Sequence, residues 1–194
     1  MRHLDVWIQA IGYAGLFAIV FVETGLFFGF FLPGDTLLLT AGILAQRGHF
    51  DIEVLVPLLI IAAITGDATG YAIGRRAGPL LFVRDDALLF RRRHLERARE
   101  FFDRHGGKAI VLARFVPIVR TFAPPAAGAA GMAYGRFTLW NVSGGVLWVG
   151  SMAGAGYVLG NTIPNLDLLL IAVVFVVSVA PIAWHWWRER AGRG

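Results

Sequence analysis

The stretch that decides the fold is FVETGLFFGFFLPGDTLLL, residues 21–39, because it combines an apolar composition with two carboxylates and a broken backbone. Most of its side chains suit lipid. Glu23 and Asp35 carry charges that hydrocarbon disfavours, and Pro33 followed by Gly34 interrupts a helix. One straight membrane-spanning helix does not accommodate all of these features. The stretch therefore predicts a membrane-embedded helix that breaks at Pro33–Gly34 and turns back.

The composition of the whole chain indicates an integral membrane protein with a single domain. Of its 194 residues, 57% are hydrophobic and 16% are charged, whereas soluble domains have about 25% charged residues. The chain has no cysteine, so neither a disulfide framework nor a thiolate metal site is expected. Its five histidines form no metal-spaced pair. We therefore expect no metal and no other cofactor.

Apolar segments divide the chain into membrane and surface parts. Three of them are long enough to cross about 30 Å of hydrocarbon, namely residues 54–74, 137–160 and 164–187. Residues 10–46 and 109–131 are also apolar, but proline, glycine and charged residues interrupt them, and Pro117, Pro124 and Pro125 are each expected to break the second. Residues 84–108 are charged and have the spacing of an amphipathic surface helix.

The basic residues fix the predicted orientation in the membrane. Ten Lys and Arg against five Asp and Glu lie between Arg75 and Lys108, and three more arginines lie in the C-terminal RERAGRG. By the positive-inside rule both regions are predicted to face the cytoplasm. The positive charge therefore indicates membrane orientation and not nucleic-acid binding. Counting spans then makes 109–131 begin and end on the cytoplasmic side. Residues 10–46 and 109–131 are therefore predicted to be re-entrant hairpins; the alternative for the first is one span over 10–31 and a loop.

Two short similarities indicate an internal repeat. FLP at 31–33 matches FVP at 115–117, and GYAIG at 70–74 matches GYVLG at 156–160, with offsets of 84 and 86 residues. The predicted orientations of the two halves are opposite, and inverted repeats with interrupted segments are typical of transporters. The predicted fold is thus an all-α polytopic bundle of two inverted units, each a re-entrant hairpin and a spanning helix, with a further C-terminal helix. Chance recurrence in an apolar sequence is the alternative.

Four ionisable residues at membrane depth indicate the functional site. Glu23 and Asp35 lie on the first hairpin, and Arg114 and Arg120 lie on the second. Each unpaired charge would cost about 2.5–3.5 kcal/mol at the bilayer centre, so we expect pairing across the hairpins. The break at Pro117 lets the two arginines converge, and converging arginines suit a phosphate group. They would otherwise serve only as internal counter-ions.

The two acids of the first hairpin differ in their expected roles. Glu23 lies in an apolar helix, where burial disfavours the charged form and favours carriage of a proton. Asp35 follows the Pro33–Gly34 break, so it is either a partner in the same proton exchange or simply the N-cap of the second arm. We assign both acids to proton coupling or gating, with a buried structural ion pair as the alternative for Glu23 and capping as the alternative for Asp35.

Two further polar residues support the site. Asp67 interrupts the 54–74 span and lies either near the arginines or in hydrated surroundings at the membrane edge. Asn141 lies just inside the 137–160 span. Capping of that helix is its expected role, and a hydrogen bond across the bundle is the alternative.

From about residue 15 to residue 160 the chain resembles the DedA family, also described as SNARE-associated or VTT-domain membrane proteins. The resemblance rests on three stretches: ETGLFFGFFLPGDTLLLTAGILA, GDATGYAIGRRAG and ARFVPIVRTFAPPAAGAAGMAYGRFTLWNVSGGVLW. It implies functional acids at Glu23 and Asp35 and functional arginines at Arg114 and Arg120. The family motif is also matched at Pro33, Gly34, Pro117 and Asn141. Many members have a second proline in the first turn, where this chain has Leu32.

The resemblance implies a non-enzymatic flippase of a polyprenyl phosphate lipid carrier. In bacterial members this is transport across the cytoplasmic membrane with dependence on the proton gradient, which makes undecaprenyl phosphate recycling the expected function. Its partners would be that lipid and protons, without nucleic acid, and a homo-oligomer is compatible with the sequence. The alternatives are a proton-coupled exporter of small cations or drugs, a broader phospholipid scramblase, and a phosphatase that needs a histidine beside the arginines.

Overall fold

The described part of the chain consists of helices joined by short turns and contains no strand, which agrees with the predicted all-α class. The computed structural model describes residues 2–25, 34–81, 96, 100–102 and 104–162, with the backbone alone for residues 2–10, 79–81, 117–118 and 161–162. Its main helices within these ranges are α1 (Arg2–Gly25), α2 (Gly34–Gln46), α3 (Ile52–Leu81), α4 (Lys108–Ala113), α5 (Pro117–Ala129) and α6 (Tyr134–Thr162). Residues 26–33 with Pro33, most of 84–108 and the predicted span 164–187 lie outside the described residues.

Two of the described helices are long and apolar enough to cross a membrane. They are Ile52–Gly78 within α3 and Tyr134–Gly160 within α6, and the predicted segments 54–74 and 137–160 fall inside them. A shorter apolar stretch, Ile11–Gly25, lies within α1. Length and composition alone would also fit the core helix of a soluble protein, so the membrane assignment rests on the relatives reported below.

Both interrupted segments contain two helices. The first comprises α1 and α2 on either side of residues 26–33, and the second comprises α4 and α5. In the second, Val116 is extended (φ −115°, ψ 107°) and Pro117 begins α5. Proline disfavours helical backbone in the residue before it and suits the first position of a helix. The break predicted at Pro117 is therefore present between α4 and α5.

Pro124 and Pro125 do not break the chain, which corrects the prediction that all three prolines would. Both lie inside α5. Each removes one backbone donor, but neighbouring helices in a membrane bundle can tolerate an interior proline. Helix α3 lies very close to α5 here, as shown by Gly74, where an added Cβ would overlap the Pro125 carbonyl.

In each half of the chain, one helix of the interrupted segment packs on the long helix of the other half. Helix α2 packs mainly on α6, and α5 packs mainly on α3. A Cβ at Gly42 of α2 would overlap the backbone of Ala153, and one at Gly156 of α6 would overlap that of Leu39. The crossing of α5 and α3 is built similarly, with Gly128 against the Tyr71 carbonyl. Small residues thus bring backbones together at both crossings.

Substitution of Gly156 should separate α6 from α2, whereas substitution of Gly154 should not. A Cβ at Gly156 would meet the backbone carbonyl of Leu39, which cannot rotate away, so Gly156→Ala should lower the free energy of unfolding by about 1–3 kcal/mol. A Cβ at Gly154 would have no described neighbour within 4 Å, and Gly154→Ala should stabilise the same helix by about 0.5–1 kcal/mol. Unfolding titrations in mixed micelles measure both; equal effects would contradict this packing.

Two apolar clusters lie beside the buried charges. The first includes Val20, Leu38 and Trp148, and the second includes Tyr71 and Ile110. Side chains three and four positions apart share a helix face, so this packing orients polar residues one turn away toward the interior. Those residues are Glu23, which follows Val20, Asp67, which precedes Tyr71, and Arg114, which follows Ile110.

Candidate functional site: a buried network of ion pairs

The predicted charges converge inside the bundle and form two sets of ion pairs. Glu23, Asp67 and Arg114 are buried, and the Arg120 side chain is 9% exposed. Arg120 pairs with both acids of the first interrupted segment, as expected. Arg114 pairs instead with Asp67. The acids and arginines therefore compensate one another across the two halves, and α3 supplies a third acid.

Arg120 uses its two terminal nitrogens for two different carboxylates. Its Nη2 donates to Oε1 of Glu23, and its Nη1 donates to Oδ1 of Asp35 at 2.8 Å. The Glu23 side chain is 1% exposed and that of Asp35 is 39% exposed. Asp35 is thus the more accessible of the two carboxylates that pair with Arg120.

Asp35 lies within the first turn of α2, one residue after the start at Gly34, and not at the N-cap position. Its Oδ1 accepts hydrogen bonds from Arg120 and, at 2.7 Å, from Nε1 of Trp148. A simple capping role, the alternative that the sequence left open, therefore does not account for this side chain. Its carboxylate belongs to the buried network.

Gly34 is needed where the backbone of α2 meets Glu23. The Gly34 N–H donates to Oε1 of Glu23 at 3.0 Å. A Cβ on residue 34 would overlap the Glu23 carboxyl group, so only glycine permits this approach. The other oxygen of that carboxyl group, Oε2, is buried and has no hydrogen-bond partner among the described residues. It is an atom that could receive a proton without displacing an existing bond.

Arg114 is held by Asp67 and Asn141. Its Nη2 donates to Oδ2 of Asp67 and to Oδ1 of Asn141. Asn141 lies well inside α6 and donates from Nδ2 to the Ile64 carbonyl at 3.0 Å, so the expected helix-capping role is wrong and the bond across the bundle is present. Asp67 is likewise buried beside an arginine and not hydrated at a membrane edge.

Trp148 connects the two sets and was not singled out from the sequence. Its fully buried indole lies 4.9 Å from Cζ of Arg120 and 5.9 Å from Cζ of Arg114, measured to the ring centroid. Both arginines are thus placed for cation–π contact with one ring. Tryptophan in the middle of a glycine-rich apolar segment, away from any membrane interface, was the signal that could have identified it.

The two sets of ion pairs face a common small cavity. Its lining includes Glu23, Asp67, both arginines and Trp148. No group of three or more potential metal-ligating side chains occurs in the described ranges. The cavity therefore brings two guanidinium groups and the acids that neutralise them to one place, where an oxyanion could exchange with a carboxylate.

These features define an α-helical membrane protein with an internal network of carboxylates and arginines. The VTT domain family matches residues 32–158. Protein DedA of Escherichia coli strain K12 is 48% identical over 187 residues, covering 93% of this chain and 83% of that protein. An uncharacterized membrane protein of Mycobacterium leprae is 42% identical, covering 89% and 80%. The inner membrane protein YqjA of Escherichia coli strain K12 is 33% identical, covering 93% and 86%.

The chain belongs to the DedA family of VTT-domain membrane proteins, which confirms the resemblance found in the sequence. No solved structure matches it significantly. Members of this similarity group are named as membrane or inner membrane proteins. Helices α3 and α6 are accordingly treated as transmembrane helices.

Proposed function

We propose that this protein flips a polyprenyl phosphate lipid carrier, undecaprenyl phosphate in bacteria, across the cytoplasmic membrane without chemical conversion. The observation that carries the proposal is the convergence of Arg114 and Arg120 on one cavity, whose volume of about 10 Å³ means that the surrounding helices must separate to admit a phosphate. Arginine pairs a phosphate through two parallel hydrogen bonds and stays charged when buried. In the absence of lipid phosphate, the carboxylates occupy those same donors.

The charge balance of the site supports coupling to protons. Three carboxylates (Glu23, Asp35 and Asp67) face two guanidinium groups, so the network carries a net charge of 2 − 3 = −1 when all groups are ionised. An incoming phosphate adds more negative charge to a poorly hydrated space. Protonation of one or two carboxylates would offset that charge, because an uncompensated buried charge is costly.

The order of exchange follows from the surroundings of Arg120. Asp35 is the more accessible carboxylate, so it is the one that a phosphate would displace first. Glu23 is buried against Arg120 and the Gly34 N–H, with its Oε2 unpartnered, so it is the group that would take a proton and release Arg120. The reciprocal packing of α2 on α6 and of α5 on α3 suits two inverted units that rock about this site.

The alternatives fit the geometry less well. A cation exporter would present its acids without neighbouring arginines, whereas Glu23 and Asp35 both pair with Arg120. A phosphatase would need a histidine beside the arginines, and the described lining of the cavity contains none. We therefore propose transport and not hydrolysis. The two re-entrant hairpins, the cytoplasmic C-terminus and the proton dependence are parts of this proposal.

Reconstituted liposomes test the function directly. The protein should accelerate movement of labelled undecaprenyl phosphate between leaflets, and undecaprenol, which lacks the phosphate, should not be carried or compete. Labelled phosphatidylglycerol distinguishes a broader scramblase. Equal movement of undecaprenyl phosphate in protein-free liposomes, or equal transport of undecaprenol, would contradict the proposal.

Glu23→Gln should uncouple transport from the pH gradient while the protein stays folded. Glutamine retains a hydrogen-bonding oxygen for Arg120 and Gly34 but cannot exchange a proton, and Asp35 still balances Arg120. The wild type should respond to an imposed pH gradient, and Glu23→Gln should not. Glu53→Gln, an exposed acid at the start of α3, is the matched control. A full gradient response in Glu23→Gln would exclude Glu23 as the proton carrier.

A further inference from the structure

A second, larger cavity lies outside the ion-pair network, along the outer face of α4 and α5. It has a volume of about 1110 Å³ and a mostly apolar wall. Leu112, Val116, Val119 and Phe122 line it and are exposed, each by about half or more. This volume exceeds that of most small-molecule sites and is large enough for a segment of lipid tail.

One end of this groove is strongly basic. Arg104 and His105 precede the Gly106–Gly107 turn, Lys108 begins α4, and Arg136 comes from the first turn of α6. No acidic residue lines the groove within the described ranges, and none of its Arg or Lys side chains pairs with a described carboxylate. The three Lys and Arg side chains thus form a permanent positive rim above an apolar wall.

The turn before α4 fixes the position of this rim. Gly106 has φ +61°, a left-handed conformation that glycine adopts readily. A Cβ at Gly107 would overlap the indole of Trp140, so the turn lies directly on α6. The basic side chains beside the turn and Arg136 from α6 are therefore held next to one another.

We propose that this groove is a docking site for the lipid phosphate on the predicted cytoplasmic side of the central cavity, with the phosphate at the basic rim and the tail along the apolar wall. The inference rests on the proposed function. Three permanent cations suit a phosphomonoester, which carries up to two negative charges and three acceptor oxygens, better than a singly charged phosphodiester. The groove passes Val116, which lies in the α4–α5 break between Arg114 and Arg120 in the sequence.

Photo-crosslinking between bound lipid and a probe on the apolar wall of the groove tests the docking site without requiring transport. The chain has no cysteine, so Val119→Cys and Val146→Cys can each carry one benzophenone maleimide. Val119 lines the groove and is 48% exposed, whereas Val146 lies on α6 outside it and is 47% exposed. Both proteins are placed in phosphatidylethanolamine nanodiscs with labelled undecaprenyl phosphate and irradiated.

We expect strong labelling at position 119 and weak labelling at position 146. Excess undecaprenyl phosphate should compete, and undecaprenol and phosphatidylglycerol should not. Adding Lys108→Gln with Arg136→Gln should reduce labelling by about tenfold or more, since two charge-assisted contacts are lost. Arg76→Gln, an exposed arginine outside the groove, should leave labelling unchanged. Thermal unfolding confirms that each variant is folded.

Several results would overturn the docking site. Equal labelling at both positions would indicate ordinary lipid contact, and competition by phosphatidylglycerol would indicate bulk phospholipid. A crosslink from position 119 to residues 163–194 or to a second copy would show that protein covers the groove. Groove labelling and translocation can fail separately. If labelling is lost while translocation stays intact, only the docking site is overturned. If labelling stays intact and no translocation occurs, only the proposed transport function is overturned.

Discussion

Arg120→Ala should abolish lipid translocation and destabilise the protein by about 3–5 kcal/mol, because it leaves the buried Glu23 without its counter-ion. The Arg120 guanidinium joins the acids of α1 and α2 to α5. Most of the loss should come from Glu23, which is 1% exposed, since Asp35 at 39% exposed is far less buried. Reconstituted transport and unfolding titrations in mixed micelles measure the two effects.

A second substitution separates the structural and functional parts of this effect. Adding Glu23→Gln to Arg120→Ala removes the orphaned charge and should restore most of the stability, but it should not restore transport. Arg120→Lys keeps the charge, loses the forked geometry and should retain stability better than activity. Arg76→Ala, at an exposed position on α3, should be neutral. Normal transport by a folded Arg120→Ala protein would exclude Arg120 from phosphate binding.

Asp67→Asn should be as damaging as Arg120→Ala, although its side chain changes by one atom. The side chains of Asp67 and Arg114 are 5% and 4% exposed, so this pair is about as deeply buried as the Arg120–Glu23 pair. Asparagine would leave the Arg114 charge facing only the neutral Asn141 oxygen. We expect a loss of about 3–5 kcal/mol in the free energy of unfolding, measured in mixed micelles.

Neutralising both partners of this pair provides the control. Asp67→Asn combined with Arg114→Gln buries no charge and should recover most of the lost stability, since polar or apolar replacements of a whole buried pair are often tolerated. Transport should stay absent because a phosphate-binding cation is gone. Glu53→Gln, at an exposed acid of the same helix, should have no effect. A stable, active Asp67→Asn protein would show that Arg114 needs no counter-ion.

The sequence predicted the helical class, the break at Pro117 and the four principal charged residues. Apolar segments of spanning length and the cost of charges in lipid are local properties, so they can be read without a structure. The prediction that acids and arginines compensate each other holds for Arg120 with Glu23 and Asp35. It left Asp67 undecided, because nothing along the chain fixes which side chain lies opposite Arg114.

Residues placed by contacts between helices were less predictable. Asn141 near the start of α6 has the sequence position of a cap, but the helix begins earlier, at Tyr134, and its amide crosses to Ile64. Pro124 and Pro125 have the chemistry of helix breakers, yet the close approach of α3 at Gly74 keeps them within α5.

The sequence by itself determined that this chain is a helical membrane protein of the DedA family with buried acids and arginines, because composition, span length and motif are properties of the chain. Only the tertiary structure decided the partners: Arg120 with two acids, Arg114 with Asp67, and Trp148 beside both arginines. The hydrogen bonds from Arg114 to Asp67 and from Arg120 and Trp148 to Asp35 join residues 47 to 113 positions apart. Residues this far apart in the sequence come into contact only when α2 packs on α6 and α5 packs on α3. That packing depends on glycines that let the helix backbones touch.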